Sequence, residues 1–220
     1  MGKAIIFDMD GTLFQTEKIL EISLHSTFND LRNKNLWKKE TPIEKYRNIM
    51  GVPLPVVWET LLPHHNQNIR EDANLIFHKQ LIKSIKNGKG ALYPNIEETF
   101  EKLSQYFQLY IASNGQKEYL KEIVKYYNLD RWIQQTYSIE EIQSGNKSDL
   151  VSKIKANHQI TEGIVVGDRL SDIKAGKDNN FFTVGCRFDF SQESELKQAD
   201  IIISDLSELL NYFQPERLSL

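Results

Sequence analysis

Beyond residue 88, short apolar runs alternate with segments of helical periodicity, and this alternation constrains the fold more than any other feature of the chain. The apolar runs, with one more at the N-terminus, predict strands at 4–7, 109–112, 163–166, 181–184 and 200–203. Helices are predicted at 95–106, 117–127, 150–157, 173–179 and 206–212. Because strands that alternate with helices are joined by right-handed crossovers, the sequence predicts a doubly wound, Rossmann-like parallel sheet covered on both faces.

A long helical block interrupts this alternation after the first strand. Residues 16–87 show several helical patterns and no convincing strand pattern. Asn87 and Gly88 then break the pattern, as residues typical of turns and linkers do. We therefore predict an α/β core built from residues 1–15 and 88–220, with a small all-α domain inserted at 16–87.

Composition and charge exclude several classes of function. The 220-residue chain has a formal net charge of -3, so it shows no basic character that would favour a nucleic acid partner. A small anionic substrate is compatible with this charge, because one local positive site can outweigh it. No apolar run approaches the roughly 18–20 residues of a membrane span, and the N-terminus does not resemble a signal peptide. We expect a cytoplasmic protein without a membrane partner, and the sequence indicates no oligomeric state.

Polar side chains follow the predicted strands at the ends where an open parallel sheet binds its ligands. These strand-end residues are Asp8, Asp10, Ser113, Asn114, Asp168 and Asp172. Lys147 lies in the loop before the helix predicted at 150–157. Since the carboxyl ends of parallel strands share one edge of the sheet, we expect these side chains to meet in one crevice.

Four segments resemble, in the same order, the signature motifs of the haloacid dehalogenase superfamily. They are residues 8–13 (DMDGTL), residues 111–115 (IASNG), Lys147 and residues 166–172 (VGDRLSD). The helical block between the first two segments resembles the helical cap of the phosphoglycolate phosphatase-like and beta-phosphoglucomutase-like branch. The resemblance implies a phosphatase acting on a small phosphorylated metabolite, with a cap that closes over the crevice and selects the substrate.

The resemblance also implies a role for each strand-end residue. Asp8 is the expected nucleophile, and a carboxylate suits this role because it is ionised at neutral pH without an activating base. Asp10 is the expected general acid and base. Lys147 is expected to orient Asp8 and, with Ser113, to bind the substrate phosphate. Asn114 is a further candidate phosphate ligand, although an exposed polar residue at a loop end would look the same.

A magnesium ion is expected at the same crevice. Asp8, Asp10, Asp168 and Asp172 would repel a dianionic phosphate unless cations compensate for their charge. Lys147 supplies one positive charge, and the hard oxygen ligands favour Mg²⁺ as the second cation. The resemblance implies that Asp8, Asp168 and the backbone carbonyl of Asp10 bind the ion. For Asp172 two options stay open, direct coordination or contact with the coordinating groups.

Two other functions are compatible with the sequence. A sugar phosphomutase of the beta-phosphoglucomutase type shares the fold and the nucleophile, but it passes the phosphoryl group to a sugar and not to water. A receiver-like signalling module also combines strand-end aspartates, a Ser or Thr and a lysine, yet it holds its phosphoryl group as a signal. The large insert and the Asp-x-Asp-Gly-Thr segment at residues 8–12 argue against the signalling module.

Overall fold

The computed structural model describes residues 2–49, 52, 54–189 and 191–213. The chain divides into two compact units, one formed by Met1–Gln15 with Leu92–Leu220 and the other by Thr16–Ala91. The second boundary thus lies four residues later than the 87/88 boundary that the sequence predicts. The difference arises because Leu92 forms a bridge with Phe14, and because the amide of the next residue donates to the Leu13 carbonyl at 3.0 Å.

The first unit contains a six-stranded parallel sheet in the order β3-β2-β1-β4-β5-β6. Its strands are β1 (Gly2–Phe7), β2 (Gln108–Ser113), β3 (Ile133–Ser138), β4 (Ile160–Gly167), β5 (Phe182–Cys186) and β6 (Ile201–Ile203). The helices of both units are α1 (Glu17–Asn33), α2 (Ile43–Arg47), α3 (Leu54–Leu61), α4 (Gln67–Lys86), α5 (Ile96–Leu103), α6 (Lys117–Tyr126), α7 (Lys147–Asn157), α8 (Leu170–Asp178), α9 (Glu193–Leu196) and α10 (Leu209–Tyr212).

Strand β1 lies in the middle of the sheet and determines where the strand-end residues come together. Its apolar run is fully buried, as expected for a parallel strand covered on both faces. Phe7, the last residue of the strand, pairs with Ile111 of β2 on one side and with Val166 of β4 on the other. The Asp8 amide donates to the Val166 carbonyl at 2.9 Å. Asp8 therefore leaves the sheet between the ends of β2 and β4.

Helices cover both faces of the sheet. On one face, Ile6 belongs to a buried cluster with Leu150 and Ile154 of α7. On the opposite face, the ring of Phe7 packs on Phe100 of α5, with 4.9 Å between ring centroids. The prediction of a doubly wound parallel sheet is therefore confirmed.

The second unit consists of helices α1 to α4 and their connections, and its described residues form no strand. Its core includes the aromatic rings of Phe28, Trp58 and Phe77, with 5.7 Å between the centroids of the last two. The indole N–H of Trp58 is satisfied by Asn74 Oδ1 at 2.8 Å, so this large ring is buried without an unpaired donor. In the described part of the chain, no helix has the length and apolar character that crossing a bilayer would require.

Several elements differ from the sequence prediction, among them the short helix α9, which was not predicted, and the starts of α8 and β4, which lie three residues earlier than predicted. Strand β3 was not predicted, because only Ile133 and Tyr137 carry large apolar side chains in it, while Gln134 and Gln135 are exposed. It pairs with β2 alone, at the edge of the sheet. Helix α7 begins at Lys147 and not at residue 150, since Asn146 acts as its N-cap and accepts from the Ser148 amide at 2.9 Å.

Candidate active site

A tight turn follows β1 and carries the first two strand-end aspartates. The Gly11 amide donates to the Phe14 carbonyl at 3.0 Å, and the Phe14 amide donates to the Met9 carbonyl at 2.9 Å. Gly11 adopts a φ of 78°, a backbone conformation that residues with a Cβ atom rarely adopt. A Cβ atom at this position would also lie 2.6 Å from Asp168 Oδ2. Glycine therefore permits both the turn and the close approach of the loop after β4.

Lys147 joins two of the predicted carboxylates. Its Nζ atom lies 2.6 Å from Asp8 Oδ1 and 2.5 Å from Asp172 Oδ1. All three side chains are buried, Lys147 with only 5% of its surface exposed. The N-terminal position of Lys147 in α7 places its long side chain over the end of β1, 139 residues away in sequence. Lys147 therefore lies beside the strand-end aspartates, where the sequence analysis expects it.

The segment after β4 supplies the other carboxylates. Asp168 Oδ1 accepts a hydrogen bond from the Thr12 hydroxyl at 3.0 Å, and both residues are buried. Asp172 lies in the first turn of α8, where its Oδ2 accepts from the Arg169 amide at 3.0 Å. One oxygen from each of Asp8, Asp168 and Asp172 lies within 4.8 Å of the others. Three carboxylates thus share one small buried space.

Burial and mutual repulsion change the protonation of this cluster. Burial raises the pKa of Asp8 to about 7, and the nearby Asp172 carboxylate adds to the increase, while Lys147 opposes it. Burial and the Asp8 carboxylate likewise raise the pKa of Asp168 well above its usual range. For the Lys147 ammonium, burial alone would lower the pKa, but the carboxylates of Asp172 and Asp8 outweigh it and raise the pKa. Lys147 is therefore charged at neutral pH.

The cluster fits a divalent cation. Carboxylate oxygens are hard ligands of the kind that Mg²⁺ prefers, and they converge here within reach of a single ion. One ammonium carries less charge than three buried carboxylates, and repulsion between the carboxylates adds to the effect of burial in raising the pKa values of Asp8 and Asp168. A bound dication would supply the missing positive charge and favour the ionised form of these groups.

The end of β2 places Ser113 and Asn114 beside the end of β1. Ser113 is buried, and its hydroxyl oxygen accepts from the Gly115 amide at 3.0 Å. The loop that follows is held by β3, because the Ser138 hydroxyl donates to the Gly115 carbonyl at 2.6 Å. Asn114 is partly exposed. The end of β2 thus lies beside the end of β1, as expected if both line one crevice. The contact of Ser113 and Asn114 with phosphate stays a prediction.

Asp10 is directed toward a residue that the sequence interpretation did not select. The hydroxyl of Tyr119, in the first turn of α6, donates to Asp10 Oδ1 at 2.5 Å. Thr12, the partner of Asp168, was not selected either. Thr12 lies inside the segment DMDGTL, so its place in the first motif could have identified it as a residue of the site. Tyr119 gave no such signal, because a tyrosine at helical spacing is typical of core packing.

The chain is similar in sequence and in structure to known hydrolases. It is 22% identical over 222 residues to the pyrophosphatase PpaX of Listeria monocytogenes, covering 96% of each chain. It is 26% identical over 182 residues to the phosphoglycolate phosphatase of Aquifex aeolicus, covering 80% of each. Among solved structures, a haloacid dehalogenase-like family hydrolase from Streptococcus pneumoniae superposes with a TM-score of 0.80 at 23% identity, covering 97% of this chain and 99% of the other.

The strongest assignment comes from a family model. The model for haloacid dehalogenase-like hydrolases matches residues 5–186, a range that includes Asp8, Lys147, Asp168 and Asp172. The family predicted from the four motifs is therefore confirmed. The chain belongs to the haloacid dehalogenase-like hydrolases and is an enzyme of that family.

Proposed function

We propose that this hydrolase is a Mg²⁺-dependent phosphatase that cleaves a small phosphate monoester through a phospho-aspartate on Asp8. One observation carries the proposal. Lys147 Nζ lies between Asp8 and Asp172, at 2.6 Å and 2.5 Å, inside a buried cluster of three carboxylates at the end of β1. A nucleophile held by a cation beside a site for a dication suits attack on an anionic phosphate.

The first step transfers the phosphoryl group to the protein. A carboxylate oxygen of Asp8 forms a bond to phosphorus as the bond from phosphorus to the ester oxygen breaks. Asp10 donates its proton to the departing oxygen, which leaves as an alcohol. Lys147 stays charged and holds Asp8 in place. Ser113 and Lys147 are proposed to bind the phosphoryl oxygens, with Asn114 as a further candidate.

The second step regenerates the enzyme. A water molecule forms a bond to phosphorus and gives its proton to Asp10, while the bond between phosphorus and Asp8 breaks. Inorganic phosphate and free Asp8 result. Mg²⁺, held by Asp8, Asp168 and the backbone carbonyl of Asp10, would supply positive charge against the phosphate oxygens. Asp172 is proposed either as a further metal ligand or as a residue that positions Lys147, since its Oδ1 forms an ion pair with Lys147 and its Oδ2 accepts from the Arg169 amide.

The substrate is proposed to be a small phosphorylated metabolite. Relatives of this chain are named for pyrophosphate and phosphoglycolate, which are both small anions. The helical unit Thr16–Ala91, inserted between β1 and β2, is proposed to act as the cap that selects the substrate. Neither a nucleic acid nor a membrane is proposed as a partner, and cytoplasmic location stays a prediction.

The test is phosphate release from a panel of small phosphates with and without Mg²⁺. The panel includes phosphoglycolate, inorganic pyrophosphate and sugar monophosphates. Asp8→Asn removes the nucleophilic charge at constant size, and Asp130→Asn makes the same change at an exposed position as the control. We expect multiple turnovers that require both Mg²⁺ and Asp8, with Asp130→Asn equal to the wild type.

Other outcomes would favour the alternatives. Equal release by wild type and Asp8→Asn would contradict the assignment of the nucleophile. Conversion of a sugar monophosphate to an isomer without free phosphate would establish the phosphomutase. Stable labelling by acetyl phosphate without turnover would establish the signalling module.

A further inference from the structure

Tyr119 and Asp10 form a partly buried contact across 109 residues of sequence. The Tyr119 hydroxyl donates to Asp10 Oδ1 at 2.5 Å, and only 3% of the tyrosine surface is exposed. A hydrogen bond from a neutral hydroxyl to a carboxylate is stronger than one between two neutral groups. The bond therefore restrains the side chain that the proposed function assigns to proton transfer.

Tyr119 is itself held on two sides. Its ring packs edge-on against Phe14, with 6.4 Å between centroids, and Phe14 belongs to the turn that carries Asp10. At the start of its helix, the Lys117 amide donates to Glu140 Oε2 at 2.9 Å, which ties α6 to the segment after β3. The hydroxyl thus reaches Asp10 from a fixed helix and a fixed ring, so its position is determined by packing.

We propose that Tyr119 is a positioning residue that fixes the orientation of the Asp10 carboxyl group through its hydrogen bond to Oδ1. This inference rests on the proposed function and deepens it. In the first step the proton of the Asp10 carboxyl group passes to the leaving oxygen, and in the second step the Asp10 carboxylate accepts a proton from water. Tyr119 keeps its own proton throughout and touches neither substrate nor phosphorus.

The leaving group distinguishes this role from a structural one. An alkyl phosphate needs a proton on its leaving oxygen, whereas 4-nitrophenyl phosphate releases a stable phenolate without one. For Tyr119→Phe we expect phosphorylation of Asp8 by an alkyl phosphate to slow by about 10- to 100-fold, which is less than the roughly 100- to 10,000-fold contribution of general acid catalysis because Asp10 itself is retained. Phosphorylation by 4-nitrophenyl phosphate should stay within about 3-fold of wild type, since no acid is needed.

The second step gives an independent readout. Hydrolysis of the phospho-aspartate needs Asp10 as the base whatever the first leaving group was. Tyr119→Phe should therefore release one equivalent of nitrophenolate in a rapid burst and then turn over slowly. Rapid-quench and stopped-flow measurements on the full chain separate the two phases. Tyr127→Phe is the matched control, because Tyr127 packs on the same Phe14 ring at 5.9 Å and its hydroxyl has no hydrogen-bond partner among the described residues.

A double variant keeps the test decisive if Tyr119→Phe lowers stability. If Tyr119 acts through Asp10, adding Tyr119→Phe to Asp10→Asn should change the rate by less than about 2-fold, because coupled residues are non-additive. Equal slowing with both leaving groups, an unchanged rate, or additive losses in the double variant would each overturn the inference. Wild-type protein without turnover that depends on Asp8 and Mg²⁺ would overturn the proposed function and this inference with it.

Discussion

The Nζ atom of Lys147 lies 2.6 Å from Oδ1 of Asp8, and both side chains are buried at the carboxyl end of β1. The same ammonium contacts Asp172 at 2.5 Å. A cation in this position stabilises the native state, because it compensates the negative charge of carboxylates that water does not reach. It also assists the proposed chemistry. The consequences for stability and for activity can be measured separately.

Lys147→Met should lower both stability and turnover. Removing the ammonium leaves two buried carboxylates without their cation, which costs on the order of 3 kcal/mol in the free energy of unfolding. Urea unfolding of the metal-free protein measures this loss. Lys153→Met is the matched control, since Lys153 forms a partly exposed ion pair with Glu141 at 3.2 Å and should lose less than about 1 kcal/mol. Equal losses in the two variants would contradict the importance of the buried contact.

Thr12→Val should weaken magnesium binding. The Thr12 hydroxyl donates to Asp168 Oδ1 at 3.0 Å, and loss of a partner that orients a metal ligand typically lowers metal affinity by about 10- to 100-fold. The Mg²⁺ concentration that gives half-maximal phosphate release should rise accordingly. Thr12→Ser keeps the hydroxyl and should resemble wild type. A similar increase in both variants would assign the effect to packing of the threonine methyl group.

Gly167→Ala should disrupt the site through Asp172. A Cβ atom at Gly167 would lie 2.2 Å from Asp172 Cγ, so the carboxylate must move away from Lys147. We expect kcat to fall by about 100-fold, as displacements near 1 Å do in active sites. Gly185, which pairs with Gly167 across β4 and β5, is the control. Its added Cβ would meet the flexible end of Leu196 at 3.0 Å and Ala199 Cβ at 3.3 Å but no residue of the carboxylate cluster, so Gly185→Ala should retain most activity.

His78 should make the stability of the protein depend on pH. Burial lowers the pKa of His78 in α4 from 6.5 to about 4, so the unfolded chain binds a proton first as the pH falls. Its contribution to stability is therefore present above pH 6.5 and is lost on acidification toward pH 4. Between pH 7.5 and 5.0 the free energy of unfolding should fall by about 2 kcal/mol from this group.

His78→Gln removes this titration and tests its size. Urea unfolding at the two pH values should show a smaller difference for His78→Gln than for wild type. His64→Gln, at an exposed position, should keep the wild-type difference. An unchanged pH dependence in His78→Gln would show that other groups cause it.

The strands of the sheet were predictable to different degrees. The continuous apolar run in β1 indicates a strand buried on both faces, and the structure confirms it. Strand β3 has exposed glutamines at its centre and pairs with one neighbour only, so no local pattern distinguishes it from a loop. Tertiary pairing with β2, which involves long-range contacts, determines this strand.

The candidate site shows the same division between local and long-range information. Asp8, Asp10, Asp168 and Asp172 follow predicted strands, and the rule that ligands bind at carboxyl ends brings them together. The contact of Tyr119 with Asp10 depends on the angle and position of a whole helix, which no spacing in the sequence encodes. The roles assigned to all of these residues stay predictions until the variants are measured.

The central position of β1 has a consequence for the order of folding. Ala4 pairs with Gln108 on one side and with Gly163 on the other, so β1 has no partner strand until about half of the chain has been synthesised, and its second partner follows later still. The helices between β1 and β2 make their contacts over shorter stretches of chain, as between α1 and α4. Since closing long loops slows folding, the helical unit should fold before the sheet closes around β1. On the ribosome, β1, which directly precedes the proposed nucleophile, would be made before the other strands of the sheet and would be among the last of them to acquire its native hydrogen bonds.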